Sequence, residues 1–115
     1  MIFLKNNGEF HFERWILKPN DVLNKVINDF SSKEFELWIE NGQWKTYKLN
    51  ISEEYVFLVF FFDNVIKFIE VYSKQKESLN ETLEKLGGEK KYSWGKVELN
   101  VDYKAGYNSI VINFK

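Results

Sequence analysis

Residues 55–72 read Tyr55-Val56-Phe57-Leu58-Val59-Phe60-Phe61-Phe62-Asp63-Asn64-Val65-Ile66-Lys67-Phe68-Ile69-Glu70-Val71-Tyr72. β-branched and aromatic residues dominate this run, and such residues favour strands over helices. Asp and Asn tolerate left-handed backbone geometry, so Asp63-Asn64 marks a two-residue hairpin turn. About that turn one face carries Val56, Leu58, Phe60, Phe62, Val65, Ile69 and Val71. The other carries Tyr55, Phe57, Val59, Phe61, Ile66, Phe68 and Tyr72, and only Lys67 and Glu70 interrupt. Both faces are apolar, so the pair is expected at the centre of a sheet. Phe57, Val59, Phe60 and Phe61 are candidate core residues.

Working outward, Asn7-Gly8 and Asn41-Gly42 are further hairpin signals, with Ala105-Gly106 a weaker one. About Ala105-Gly106, Val97, Leu99 and Val101 share a face with Ile110, Ile112 and Phe114, and Lys96, Glu98 and Asn100 take the other. Two segments read as helices. Asn20 caps the first, in which Val22, Leu23, Val26, Ile27 and Phe30 form a stripe. Ser78-Leu79-Asn80-Glu81 is a capping box for the second, with Leu79, Leu83 and Leu86 as its stripe and Gly87-Gly88 as its stop.

The order is therefore ββαββ followed by ββαββ, a possible pseudo-repeat. The expected fold is α+β: a curved antiparallel sheet of about eight strands with two helices on one face, forming a single domain over residues 1–115. That length suits one domain with a radius of gyration of roughly 13 Å. Two helices cannot cover both faces of such a sheet. Either the sheet curls round its own core, or an aromatic face is buried against another molecule, a homodimer being one form of that.

Composition narrows the function. Sixteen Lys or Arg against 17 Asp or Glu give a net charge of −1, which excludes nucleic-acid binding driven by bulk basicity. There is no Cys, hence no disulfide, thiol nucleophile or Cys-based zinc site. No apolar run approaches the ~18 residues of a membrane span, and the N-terminus lacks a signal-peptide pattern, so a cytoplasmic protein is expected, with no membrane partner.

The single His, His11, lies across from Leu4 if Asn7-Gly8 is a two-residue turn, with Glu13 on its face. No nucleophile or third partner accompanies it at readable spacing. The carboxylates show no EF-hand or Asp-rich loop, and no phosphate-binding glycine string occurs. No catalytic residue, metal site or cofactor is expected, and the chain is read as a non-enzyme.

The aromatic residues carry the stronger signal: 11 Phe, 6 Tyr and 4 Trp. About Asn41-Gly42, Phe35, Leu37 and Ile39 alternate with Glu34, Glu36, Trp38 and Glu40, and Tyr47 faces Glu36 across the hairpin. Burying the first set exposes the second. Trp and Tyr supply large contact area at binding hot spots. Glu34, Glu36, Trp38, Glu40 and Tyr47 are thus the candidate partner-binding residues. One Arg beside 15 Lys, with abundant Asn, Ile and Phe, reflects an A/T-rich bacterial codon usage. Small cysteine-free chains of this profile often act as immunity proteins that block a toxin. The expected function is protein binding of that kind, with a cognate toxin as partner. The alternative is a small-ligand-binding domain with an aromatic pocket between sheet and helices.

Overall fold

The computed structural model describes residues 2–73, 79–102 and 107–115. The elements run β1 (Ile2–Leu4), β2 (Phe10–Phe12), β3 (Trp15–Leu17), α1 (Leu23–Asp29), β4 (Phe35–Asn41), β5 (Trp44–Leu49), β6 (Tyr55–Phe62) and β7 (Val65–Ser73). Then come α2 (Leu79–Lys85), β8 (Lys90–Tyr92), β9 (Gly95–Asp102) and β10 (Tyr107–Phe114). The α+β class holds, with two helices and antiparallel sheets throughout. Among the described residues the strands number ten rather than about eight, because β3 and β8 are short additions. They divide into a three-stranded sheet, β1-β2-β3, and a seven-stranded sheet ordered β4-β5-β6-β7-β10-β9-β8. The radius of gyration is 13.4 Å.

The stretch at 55–72 is the centre of the larger sheet, as its two apolar faces require. Asp63 and Asn64 both take positive φ, 51° and 64°, which a primed two-residue turn demands. Phe62 pairs with Val65 and Phe61 with Ile66, but Phe60 pairs with Phe68, so Lys67 is an inserted residue. The bulge turns Ile69 and Val71 onto the face of Phe57 and Val59, and Phe68 and Tyr72 onto the other, the reverse of strict alternation.

One face of the sheet is thereby the packed face. It carries Tyr55, Phe57, Val59, Phe61, Ile66, Ile69, Val71, Ile110 and Ile112, all buried. The three-stranded sheet covers it: Phe10 and Phe12 meet Phe57 with ring centroids 5.7 and 5.0 Å apart. Both helices join that side, as expected. Phe30, at the end of α1, stacks on Phe35 at 5.4 Å, and Thr82 of α2 hydrogen-bonds the Tyr55 hydroxyl at 2.8 Å. Leu79 and Leu86 are buried beside them.

Helix α1 begins differently from its sequence signal. Asn20 sits at positive φ before the helix, and Val22 occupies the cap position with no side-chain hydrogen bond. The hairpin turn holds this end instead: Leu23 N–H donates to Asn64 O at 2.8 Å and Ile66 N–H to Asp21 O at 2.9 Å. Of the stripe, Leu23, Val26 and Phe30 are buried while Val22 and Ile27 are exposed. In α2 the cap residue Ser78 lies outside the described residues. The stop is as read: Gly87 and Gly88 have positive φ, and Gly88 N–H donates to Leu83 O at 2.8 Å.

Two further turns are longer than the sequence suggests. In β9–β10, Asp102 pairs with Tyr107 and Leu99 with Ile110, a register two residues from that of an Ala105-Gly106 turn. Side-chain direction survives, since a shift of two preserves it, but Val101 on the expected dry face is exposed and Ser109 on the other is buried; Ala105-Gly106 itself lies outside the described residues. In β1–β2, Leu4 pairs with Phe10 and Phe3 with His11, so the connection spans residues 5–9. Gly8 is required there: its φ is 93°, and a Cβ would lie 2.6 Å from Pro19 Cγ and 2.8 Å from Trp94 Cδ2.

Candidate interaction surface

The outer strand β4 is where apolar side chains meet water. Phe35 is buried, but Leu37, Trp38 and Ile39 are 48%, 58% and 50% exposed. The strand is long enough to build the sheet edge, yet no described strand lies beyond it.

Its register departs from the sequence expectation in two ways. Asn41 pairs with Trp44, so the turn residues are Gly42 and Gln43 rather than Asn41-Gly42. Leu37 then pairs with Tyr47 but Ile39 with Thr46, leaving Trp38 as the inserted residue of a β-bulge. A bulge changes which side chains share a face. Glu36 faces Lys48 on one side of the sheet, and Glu40 faces Lys45 on the other.

The five candidate residues are therefore not one face. Trp38 is exposed at the bulge. Glu36 and Glu40 are exposed on opposite faces. Glu34 precedes β4, half-buried, and its carboxylate accepts the Ser31 N–H at 3.2 Å. Tyr47 faces Leu37 rather than Glu36, on the packed side; it stacks on Phe35 at 4.4 Å and meets Phe61 edge-on at 5.8 Å. Burial, and then the nearby Glu40 charge, push the Tyr47 hydroxyl pKa up, which agrees with those two residues sharing a face.

The second face of the seven-stranded sheet holds residues that the pairing rules alone did not single out. Trp44 lies against Phe62 at 5.0 Å and Phe68 at 5.9 Å, and Phe68 stacks on Phe60 at 4.2 Å. The three Phe rings are half-buried and Trp44 is 39% exposed. Phe60 is thus on this partly covered face and not in the core. The doubly apolar reading of residues 55–72 contained the signal, but the bulge at Lys67 decides which aromatic residues meet there. Beside them run Glu36, Lys48, Leu58, Glu70, Val111 and Glu98 in one cross-strand row. The Tyr72 hydroxyl donates to Glu70, and burial followed by that bond pushes its pKa up to about 12.

The remaining polar groups fall elsewhere. His11 stacks on Phe3 at 4.5 Å, and its Nε2 lies 3.2 Å from Glu9 Oε1. Its carboxylate partner is therefore Glu9, not Glu13. The His11 hydrogen bond is the main cause holding the Glu9 carboxyl below its ordinary range. Among the described residues, no three His, Asp or Glu side chains cluster in a way that could hold a metal. No described helix is long and apolar enough to cross a membrane. A cleft of about 350 Å³ lies between β3 and α1, lined by residues including Arg14, Trp15, Lys18, Lys25 and Phe30. Its aromatic lining is Trp15 and Phe30, whereas under the seven-stranded sheet Phe57, Phe61, Val26 and Leu86 belong to the core.

No protein-family model matches the sequence, and no curated protein does. Among solved structures, the chain is similar to one from a complex described as "Rhs1-CT in complex with cognate immunity protein RhsI1". The match covers 100% of this chain and 88% of that one, with a TM-score of 0.68 at 15% identity. At that identity the likeness is one of fold.

Proposed function

We propose that the chain is a non-enzymatic protein-binding domain, acting as a cytoplasmic immunity protein that masks a cognate toxin. The observation that carries this reading is the sheet edge at β4, beyond which no described strand lies and where Leu37, Trp38 and Ile39 stand in water between Glu36 and Glu40. Exposed apolar side chains gathered beside charge mark interaction surfaces, and Trp is the side chain most enriched at binding hot spots. The fold likeness supports the same reading, because the complex that contains the similar chain pairs Rhs1-CT with its immunity protein.

Within this reading Trp38 is the desolvated anchor, and Glu36 and Glu40 are charges that steer association. Glu34 and Tyr47 support the strand from within. The aromatic cluster of Trp44, Phe60, Phe62 and Phe68 extends the contact onto the adjoining face.

The test is titration against the toxin encoded beside this chain's gene. Trp38→Ala is expected to weaken binding by about 2 kcal/mol or more. Glu36→Gln is expected to slow association and flatten its salt dependence. Both variants should keep the wild-type circular dichroism spectrum. Unchanged affinity in both would overturn the assignment of this surface.

A further inference from the structure

An edge strand offers a row of unpaired N–H and C=O groups, and proteins usually blunt it with Lys, Pro or a bulge. β4 has the bulge. It has no Lys or Pro, and the residues from Glu34 to Asn41 include two further carboxylates, Glu36 and Glu40, and no cation. The register shift sets one carboxylate on each side of the sheet, each beside an exposed apolar residue: Glu36 beside Ile39, and Glu40 beside Leu37.

This pattern opposes pairing with a second copy. A two-fold antiparallel pairing centred on Glu36 places that residue against itself. Pairings centred on Leu37 or Trp38 would have to run through the bulge of both copies, which interrupts the ladder. Like charges directly opposite are destabilising. A strand bearing Lys or Arg meets the reverse situation. Each β4 carboxylate already faces a lysine on β5, Lys48 or Lys45, and Lys45 Nζ also donates to Asn64 Oδ1 at 3.3 Å. A cation on the outer side would complete a Lys–Glu–Lys row across the edge.

We infer that β4 is the docking edge for an extended basic segment of the partner protein. That segment pairs by backbone hydrogen bonds before the bulge and closes over the Trp38 ring. This rests on the protein-binding reading above and specifies its mode and the chemistry of the partner. The Phe35 N–H already donates to Ser31 O at 3.1 Å and the bulge interrupts regular pairing after Leu37, so the backbone contact centres on Leu37 and specificity past it comes from Trp38 and Ile39.

The probe is a ten-residue synthetic peptide of alternating Lys and Thr, followed by amide resonances and Trp fluorescence. Its controls are the same peptide with alternate backbone nitrogens methylated, which cannot pair as a strand, and an alternating Glu-Thr peptide. The Lys-Thr peptide is expected to shift the Leu37 amide and slow its hydrogen exchange, whereas the Phe35 N–H is already bonded to Ser31 O at 3.1 Å and serves as the internal reference. Glu36→Lys and Glu40→Lys should each weaken it about tenfold. Neither control should saturate. Equal binding of the methylated peptide, shifts centred on Trp44 and Phe68, or no saturable binding up to about millimolar would overturn the inference. If the toxin still binds in a Trp38-dependent way, the edge mode alone has failed and the protein-binding reading stands.

Discussion

Two phenylalanines three residues apart in β6 show how far facing governs energetics. Phe57 is 0% exposed and touches Phe10, Phe12 and Tyr55; Phe60 is half-buried on the other face against Phe68. Phe57→Ala leaves a cavity between two sheets and is expected to cost about 3–5 kcal/mol. Phe60→Ala exposes a shallower site and should cost less than half of that, which urea denaturation of the pair resolves. Tyr72 carries a pH signature of its own. Its pKa, raised to about 12, lies above the ordinary Tyr value of about 10 in an unfolded chain. A raised pKa favours the neutral form in the folded state, so its contribution is complete below about pH 10 and is lost as pH rises towards 12. Tyr72→Phe should therefore be less sensitive than wild type to a change from pH 9 to pH 11, read from denaturation midpoints.

At the scale of elements, the sequence discloses identity better than register. The hairpin about Asp63-Asn64, the stop at Gly87-Gly88 and the buried set Val97, Ile110, Ile112 and Phe114 of β9 and β10 are legible because each depends on local chemistry: positive φ, a left-handed cap, a period of two; the alternation fails at the far end of that hairpin, where Val101 is exposed and Ser109 buried. The bulges at Trp38 and Lys67 are not legible. An inserted residue leaves no trace in an apolar-polar pattern when its neighbours on both sides are large and apolar, as in Leu37-Trp38-Ile39. The proposed surface inherits that gap: strict alternation puts Trp38, Glu36 and Glu40 on one face, whereas the bulge sets Glu36 and Glu40 on opposite faces. The bulge itself can be tested by removing Trp38. Leu37 already pairs with Tyr47 and Ile39 with Thr46, so deletion should leave both pairs intact and β4 regular. The expected cost is near the roughly 0.5 kcal/mol of a surface change. Cross-strand contacts between Ile39 and Thr46, read by nuclear Overhauser effects, should persist. Their loss would show that the bulge is required by the twist of the edge.

At the scale of the molecule, the two sheets share one hydrophobic core. Ile2, Phe10, Phe12 and Leu17 of the small sheet are buried together with Tyr55, Phe57, Val59 and Val71 of the large one. The Trp94 indole N–H donates to Asn6 O at 2.9 Å, fixing the β1–β2 connection to the segment before β9. Neither sheet can therefore bury its apolar face alone: a three-stranded unit with three residues per strand has too little area, and the large sheet would expose its central rings. Each Phe or Leu fully buried is worth about 1.5–3 kcal/mol, and a typical domain is stable by only about 5–15 kcal/mol. A chain lacking residues 2–17 loses four such side chains and uncovers the partners they shielded. It is expected to lose its near-ultraviolet circular dichroism, bind a hydrophobic dye and melt without a sharp transition. A cooperative melt in the shortened chain would mean that the seven-stranded sheet folds as a domain of its own. The packing of Phe10 and Phe12 on Phe57 argues for the opposite result, because those rings fill the centre of the interface and not its margin.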